Sequence, residues 1–122
     1  MFGVKRTTQD IGQTGETIAL KFLRRKGYAI VETRFRFLRG EIDIVARDRK
    51  TLVFVEVKMR TGEAFGRPEE SVTPAKQRQI RKVAEGYLLR HRLGDVDCRF
   101  DVISIRTQDG AGHAIDHIEN AF

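Results

Sequence analysis

Two apolar runs meet across a charged connector in Glu41-Ile42-Asp43-Ile44-Val45-Ala46, Arg47-Asp48-Arg49-Lys50, Thr51-Leu52-Val53-Phe54-Val55-Glu56-Val57-Lys58. Runs rich in Val, Ile and Phe bounded by a short polar turn predict an antiparallel strand hairpin. Side chains alternate faces along a strand, so Asp43 shares a face with Glu41 and Val45, and Glu56 and Lys58 share one with Leu52 and Phe54. The opposite faces, Ile42-Ile44-Ala46 and Val53-Val55-Val57, are wholly apolar and are expected to pack together on the core. Two registers fit. With Arg47 to Lys50 as the loop, Asp43 falls opposite Phe54 and diagonal to Glu56; with a two-residue turn at Arg49-Lys50 it falls directly opposite Glu56. Directly opposed Cβ atoms lie about 4.5–5.5 Å apart and diagonal ones about 7–8 Å. Both registers put Asp43, Glu56 and Lys58 on one face.

Carboxylates that close repel unless a positive charge lies between them. A hard divalent cation answers this, since Mg²⁺ takes oxygen ligands, typically one or two carboxylates with waters and substrate phosphates. Lys58, two residues from Glu56, is placed to orient a water or neutralise charge on a phosphate. A cross-strand ion pair between Lys58 and either acid is the structural alternative. Unpaired charges interrupting apolar strands are costly, which favours a functional role.

These residues resemble the core of the PD-(D/E)xK nuclease superfamily: Asp43, then Glu56-Val57-Lys58 on a strand hairpin. Gly15-Glu16, Gly40-Glu41-Ile42-Asp43-Ile44-Val45-Ala46 and Phe54-Val55-Glu56-Val57-Lys58 together resemble the YraN-type family of small bacterial endonuclease-like proteins, related to archaeal Holliday junction resolvases. The likeness continues through Phe65-Gly66, Lys76-Gln77-Arg78 and Arg99-Phe100-Asp101-Val102. Ile42 stands where the superfamily's name has Pro, a residue without chemistry of its own. The resemblance implies a restriction-endonuclease-like αβββαβ core with a mixed sheet flanked by helices. It implies a metal-dependent endonuclease acting on DNA, branched or Holliday-junction-like, with Mg²⁺ or Mn²⁺ held by Asp43 and Glu56. It also implies a homodimer by analogy, and a Glu16 that joins the metal site. A catalytically silent nucleic-acid-binding module with the same fold is the alternative.

At 122 residues and 14.0 kDa, the chain is expected to form one domain over residues 1–122. No apolar run approaches the roughly 20 residues that span a bilayer, and no apolar stretch follows the basic N-terminus as in a signal peptide. A cytoplasmic protein without membrane association is expected. The single cysteine, Cys98, forms no intrachain disulfide and is expected in the core. With 23 Lys and Arg against 17 Asp and Glu, the net charge of +6 suits an anionic polymer such as DNA or RNA.

Asp10 to Lys26 predicts a first helix, capped by Asp10, striped by Ile11, Gly15, Ile18, Ala19, Phe22 and Leu23, and stopped at Gly27. Glu16 lies at the border of that stripe, where it either leans over the hairpin's active face or pairs with a nearby Lys or Arg. Gly12 and Gly15 permit close approach on that side. Tyr28 to Phe37 predicts a strand in which Arg34, Arg36 and Arg39 beside Phe35 and Phe37 form a basic, aromatic edge, suited to phosphates and bases or simply to guarding a sheet edge. Met59 to Val72 predicts a long connection, with Phe65 its one large apolar side chain. Thr73-Pro74 opens a second helix, whose Ile80, Val83, Ala84, Tyr87 and Leu88 form a buried stripe. Lys76 and Gln77 fall on or beside that inward side, where they either meet phosphate at the helix N-terminus or snorkel to solvent. Gly94 ends the helix. Asp97 to Arg106 predicts a strand returning parallel, with Asp101 paired structurally, and His113 to His117 predicts a short last strand.

Overall fold

A computed structural model describes residues 8–61, 72–107 and 112–122, with side chains from residue 14 onward and that of Thr61 left aside. Helix α1 spans Thr8–Arg25, followed by strands β1 (Ala29–Phe37), β2 (Gly40–Asp48) and β3 (Thr51–Thr61). Helix α2 spans Pro74–Arg90, and β4 (Cys98–Thr107) and β5 (His113–Ile118) complete the chain. The five strands form one sheet in the order β1-β2-β3-β4-β5. Only the β3–β4 pair is parallel, with α2 in the connection between them; the other neighbours are antiparallel. This is the mixed α/β sheet between helices that the sequence predicts, and it is compatible with a restriction-endonuclease-like core.

The helices cover opposite faces. Ala19 and Leu23 of α1 pack with Ile44, Ala46, Val53, Val55, Ile103 and Ile105. Ile80, Val83, Ala84 and Tyr87 of α2 pack with Phe35, Ile42, Val45, Leu52, Phe54 and Val102. Strands β2 and β3 are therefore buried on both sides, which explains their near-continuous apolar runs. The Thr73 hydroxyl caps α2 by accepting from Lys76 N–H at 3.2 Å, with Pro74 in the first turn. Gly27, at φ +95°, closes α1: its amide donates to Arg24 O and that of Tyr28 to Leu23 O, satisfying the last carbonyls.

The β2–β3 register is fixed by Asp48↔Thr51, so the turn is the two-residue Arg49-Lys50. One expectation fails at the other end of β2. Ile42 does not share a face with Ile44 and Ala46 but joins Val45 on the α2 side. The alternation slips between Ile42 and Ile44. Directly across on β1, between the pairs Thr33↔Ile44 and Phe35↔Ile42, Arg34 adopts φ +53°, which breaks the pleat there.

Three boundaries and one burial also differ. Helix α1 begins at Thr8, so Asp10 lies within its first turn rather than capping it. Met59 and Arg60 continue β3 rather than beginning the connection, because β4 pairs with β3 as far as Thr61↔Thr107. Helix α2 closes on Arg92, at φ +52°, two residues before Gly94. Cys98 is exposed, since it opens β4 at the sheet's margin. Phe65, with Gly62, Gly66 and Pro68, lies outside the described residues, and Gly12 falls where no side-chain environment is described.

Candidate metal and phosphate site

The paired β2–β3 ladder reaches Ile44↔Val55, and the next positions are Asp43 and Glu56. There the side chain of Asp43 takes over from the backbone: Val57 N–H donates to Asp43 Oδ2 at 2.8 Å. This holds the Asp43 carboxyl at the seam between the strands. Val57 and Met59 pack with the α1-side cluster, so Glu56 and Lys58 point to the α2 side. Helix α2 begins over that spot, and Lys76 Nζ approaches Glu56 Oε2 at 3.7 Å.

The electrostatics follow from this packing. Burial, a hydrogen bond to Glu56 and the charge of Glu56 push the Asp43 carboxyl up to about 8, against the pull of Val57 N–H and Lys76. Glu56 is 8% exposed, and its Oε2 is buried without a hydrogen-bond partner in the structure. The Lys76 ammonium is too distant to be one. A buried carboxylate oxygen left unsatisfied beside a second carboxyl is what a hard cation would relieve, so the donor set fits Mg²⁺ or Mn²⁺. Among the described residues no group of three or more His, Cys, Asp or Glu side chains is gathered to hold a metal. The protein's ligands here are a pair, and the remaining coordination positions would fall to water and phosphate, as Mg²⁺ sites commonly arrange.

The other predicted residues divide by distance from this pair. Among the described residues Lys58 forms no ion pair, which leaves its ammonium uncommitted on the Glu56 side. Glu16 is tied to Arg34, whose Nε donates to Glu16 Oε2 at 2.9 Å. Glu16, and beyond it Glu41 and Asp43, hold the Arg34 guanidinium more firmly protonated than usual. Arg34 therefore links Glu16 to the edge of the carboxyl pair, although no contact joins Glu16 to Asp43 or Glu56. Gln77 Nε2 donates to Val72 O at 3.1 Å, fastening the start of α2. Arg36 is well exposed and pairs with Glu41 at 3.6 Å. Arg39 lies in the β1–β2 turn, its carbonyl accepting from Gln79 Nε2 at 3.4 Å. The close approach at Gly15 is made by Met59, whose Sδ would lie 3.2 Å from an added Cβ.

Two participants were not foreseen. One is the Val57 amide, a backbone group with no side-chain signal. The other is the placement of Arg34 opposite Asp43, which can be counted from the sequence once Leu38-Arg39 is recognised as a two-residue turn.

A second polar cluster lies on the α1 side. Asp101, fully buried, accepts from Arg99 Nε at 2.9 Å, Arg99 Nη2 at 3.0 Å and Asn120 N–H at 3.0 Å, and pairs with His117 Nε2 at 2.8 Å. Burial alone would raise its pKa, but the bonds from His117, Arg99 and the Asn120 amide outweigh it and hold Asp101 below the usual carboxylate range. Every carboxylate oxygen is satisfied, in contrast to Glu56, so this cluster reads as structural, as predicted for Asp101. His117 is committed to it; His113 and His117 form no metal pair with a third ligand among the described residues.

The sequence profile of the uncharacterised protein family UPF0102 matches residues 15–105. A UPF0102 protein of Geotalea uraniireducens is 52% identical over 114 residues, covering 93% of this chain and 90% of that protein. One from Geotalea daltonii is 49% identical over 118 residues, 97% of this chain and 93% of that protein. One from Alkaliphilus oremlandii is 46% identical over 114 residues, 92% of this chain and 97% of that protein.

Proposed function

This chain belongs to the uncharacterised protein family UPF0102, the YraN-type family its motifs resemble, and we propose that it is a divalent-metal-dependent nuclease hydrolysing phosphodiester bonds in DNA. The observation that carries the proposal is the buried pair itself: Asp43 against Glu56, with one Glu56 oxygen unsatisfied and two lysines, Lys58 and Lys76, directed to the same side.

In this proposal Asp43 and Glu56 hold Mg²⁺ or Mn²⁺. When bound, such an ion supplies a Lewis-acid contact for a phosphate oxygen and lowers the pKa of its water. The chain's own groups do the rest. Lys58, free of ion pairs among the described residues, stabilises the negative charge that develops as water's oxygen bonds to phosphorus and the bond to the leaving sugar oxygen breaks. Lys76 and the cationic start of α2 hold a non-bridging phosphate oxygen. Arg34 places a further cation at the edge. The net charge of +6 supports an encounter with a polyanion. A cytoplasmic location, where such a substrate is found, is part of the proposal.

The test is cleavage of branched, bulged and single-stranded DNA with Mg²⁺ or Mn²⁺, alongside Asp43→Asn and Lys58→Met. Loss of cutting in both variants is expected. Cutting that survives both overturns the proposal. If wild type binds DNA but neither cuts it nor gains stability from metal, the silent binding module is the better description.

A further inference from the structure

The turn between β1 and β2 carries an anomaly that the carboxyl pair does not explain. Leu38 is 84% exposed and adopts φ +55°, so a large apolar side chain stands in water on a backbone conformation that favours glycine. Asn or Gly would suit the turn better on both counts. A residue that violates two local rules at once marks a place where its side chain is used.

The turn is also fixed. A Cβ at Gly40 would lie 2.4 Å from Val83 Cγ2, and one at Gly86 would lie 2.4 Å from Phe37 Cγ, so both glycines let the hairpin end close directly on α2. Between the turn and the helix runs a groove of about 400 Å³, floored by Phe37 and Val83, with Leu38 on one wall and Arg39 and Lys82 on the rim. That volume is in the range of small-ligand sites, about 300–1,000 Å³, at the end suited to a single nucleoside. Among the described residues neither Arg39 nor Lys82 forms an ion pair, so the rim is positive and uncompensated. An apolar floor between two free cations matches a base flanked by phosphates, as in single-strand sites that combine stacking surfaces with cationic walls. The groove faces the same side of the sheet as Glu56. Gly40 is three residues from Asp43, about 10 Å along the strand, and Gln79 beside the groove is one helical turn from Lys76.

We propose that this groove receives an unpaired base of a nucleic-acid strand, packed against Leu38 and Phe37, with Arg39 and Lys82 holding the adjoining phosphates. The inference rests on the nuclease proposal, for which it names the substrate feature: a bulged, flipped or single-stranded nucleotide about 10 Å from the scissile bond.

The experiment uses the full chain in EDTA, so turnover plays no part. Binding is measured to a duplex with one bulged 2-aminopurine and to its fully paired counterpart. The bulged duplex is expected to bind about tenfold tighter, the scale of one stacked base, with a change in 2-aminopurine fluorescence on binding. Leu38→Asn, which suits the backbone and keeps the fold by circular dichroism, brings the affinity ratio close to one. Arg39→Gln with Lys82→Gln shallows the salt dependence by about one unit of slope per charge. Equal binding of the two duplexes by wild type, or an unaltered ratio in Leu38→Asn, overturns the groove assignment. So does a wild-type dimer that Leu38→Asn converts to monomer while the ratio stays fixed, which makes the groove a contact between copies. Paired duplex bound without preference removes only the groove; failure to bind either duplex both in EDTA and with Ca²⁺ in its place removes the nuclease proposal as well.

Discussion

Asp43→Asn should stabilise the protein in alkaline solution, an unusual outcome for a buried strand residue. Asparagine keeps an oxygen to accept Val57 N–H and cannot take a negative charge beside Glu56. The folded protein raises the Asp43 carboxyl from 3.8 to about 8, so it binds that proton more tightly than the unfolded chain does. The sign follows. Stability contributed by the proton is complete below the unfolded value near 3.8, declines as pH rises between the two, and is gone above about 8. A lone carboxyl moved that far would account for about 6 kcal/mol at 1.36 kcal/mol per tenfold change in proton affinity. The effective dielectric inside a folded protein is well above that of a dry interior, so about half, roughly 3 kcal/mol, is expected. Urea midpoints measured from about pH 5 to about pH 8.5 cover about two-thirds of that range, so wild type should lose about 2 kcal/mol relative to Asp43→Asn, with both responding alike to every other titration. Adding Mg²⁺ or Mn²⁺ at the alkaline end should restore wild type, by about 2.7 kcal/mol at a hundredfold excess over Kd, and leave the variant unchanged. A difference between the two proteins that does not vary with pH would refute the reasoning, because it would mean that the two acids do not share a proton in the fold.

Three further outcomes are expected. Lys58→Met should leave the urea midpoint within about 0.5 kcal/mol of wild type yet lower cleavage by about 10²–10³; equal loss of stability and activity would make Lys58 structural. Gly86→Ala should gain about 1 kcal/mol of helix propensity but lose about 2–3 kcal/mol to the Phe37 ring, for a net fall in thermal midpoint; a rise would mean that Phe37 moves aside without cost. Asp101→Asn should destabilise by about 3 kcal/mol by leaving the Arg99 guanidinium under-compensated, and since Asp101 is held below the usual range, this penalty should fade only as pH drops through its folded pKa, which acid titration of both proteins would reveal.

The hairpin, both helices and the last two strands were legible because their apolar runs are long and their capping residues conventional: Thr73-Pro74 and Gly27 mark ends by mechanisms that act locally. The nearness of Asp43 to Glu56 was legible from the hairpin in either register. The register itself was not, since Arg49-Lys50 lacks the Asn or Gly that usually marks a two-residue turn, and Arg49 takes φ +57° regardless. The slip at Asp43 was hidden for a related reason: nothing in the chemistry of Arg34 announces a left-handed backbone, which tertiary packing imposes. Ile42 was therefore assigned to the wrong face. The Arg99–Asp101–His117 cluster joins residues of adjacent strands to the chain's end, so the partners of Asp101 emerge only once β4 and β5 are paired.

The Val57 amide hydrogen points at a carboxylate rather than at a neighbouring strand's carbonyl. Its magnetic environment is therefore governed by the ionisation of one side chain. In a ¹⁵N-labelled sample that single resonance is a built-in beacon: it should move when Asp43 loses its proton and move again when a cation arrives, reporting on the candidate centre without any substrate, label or catalytic turnover.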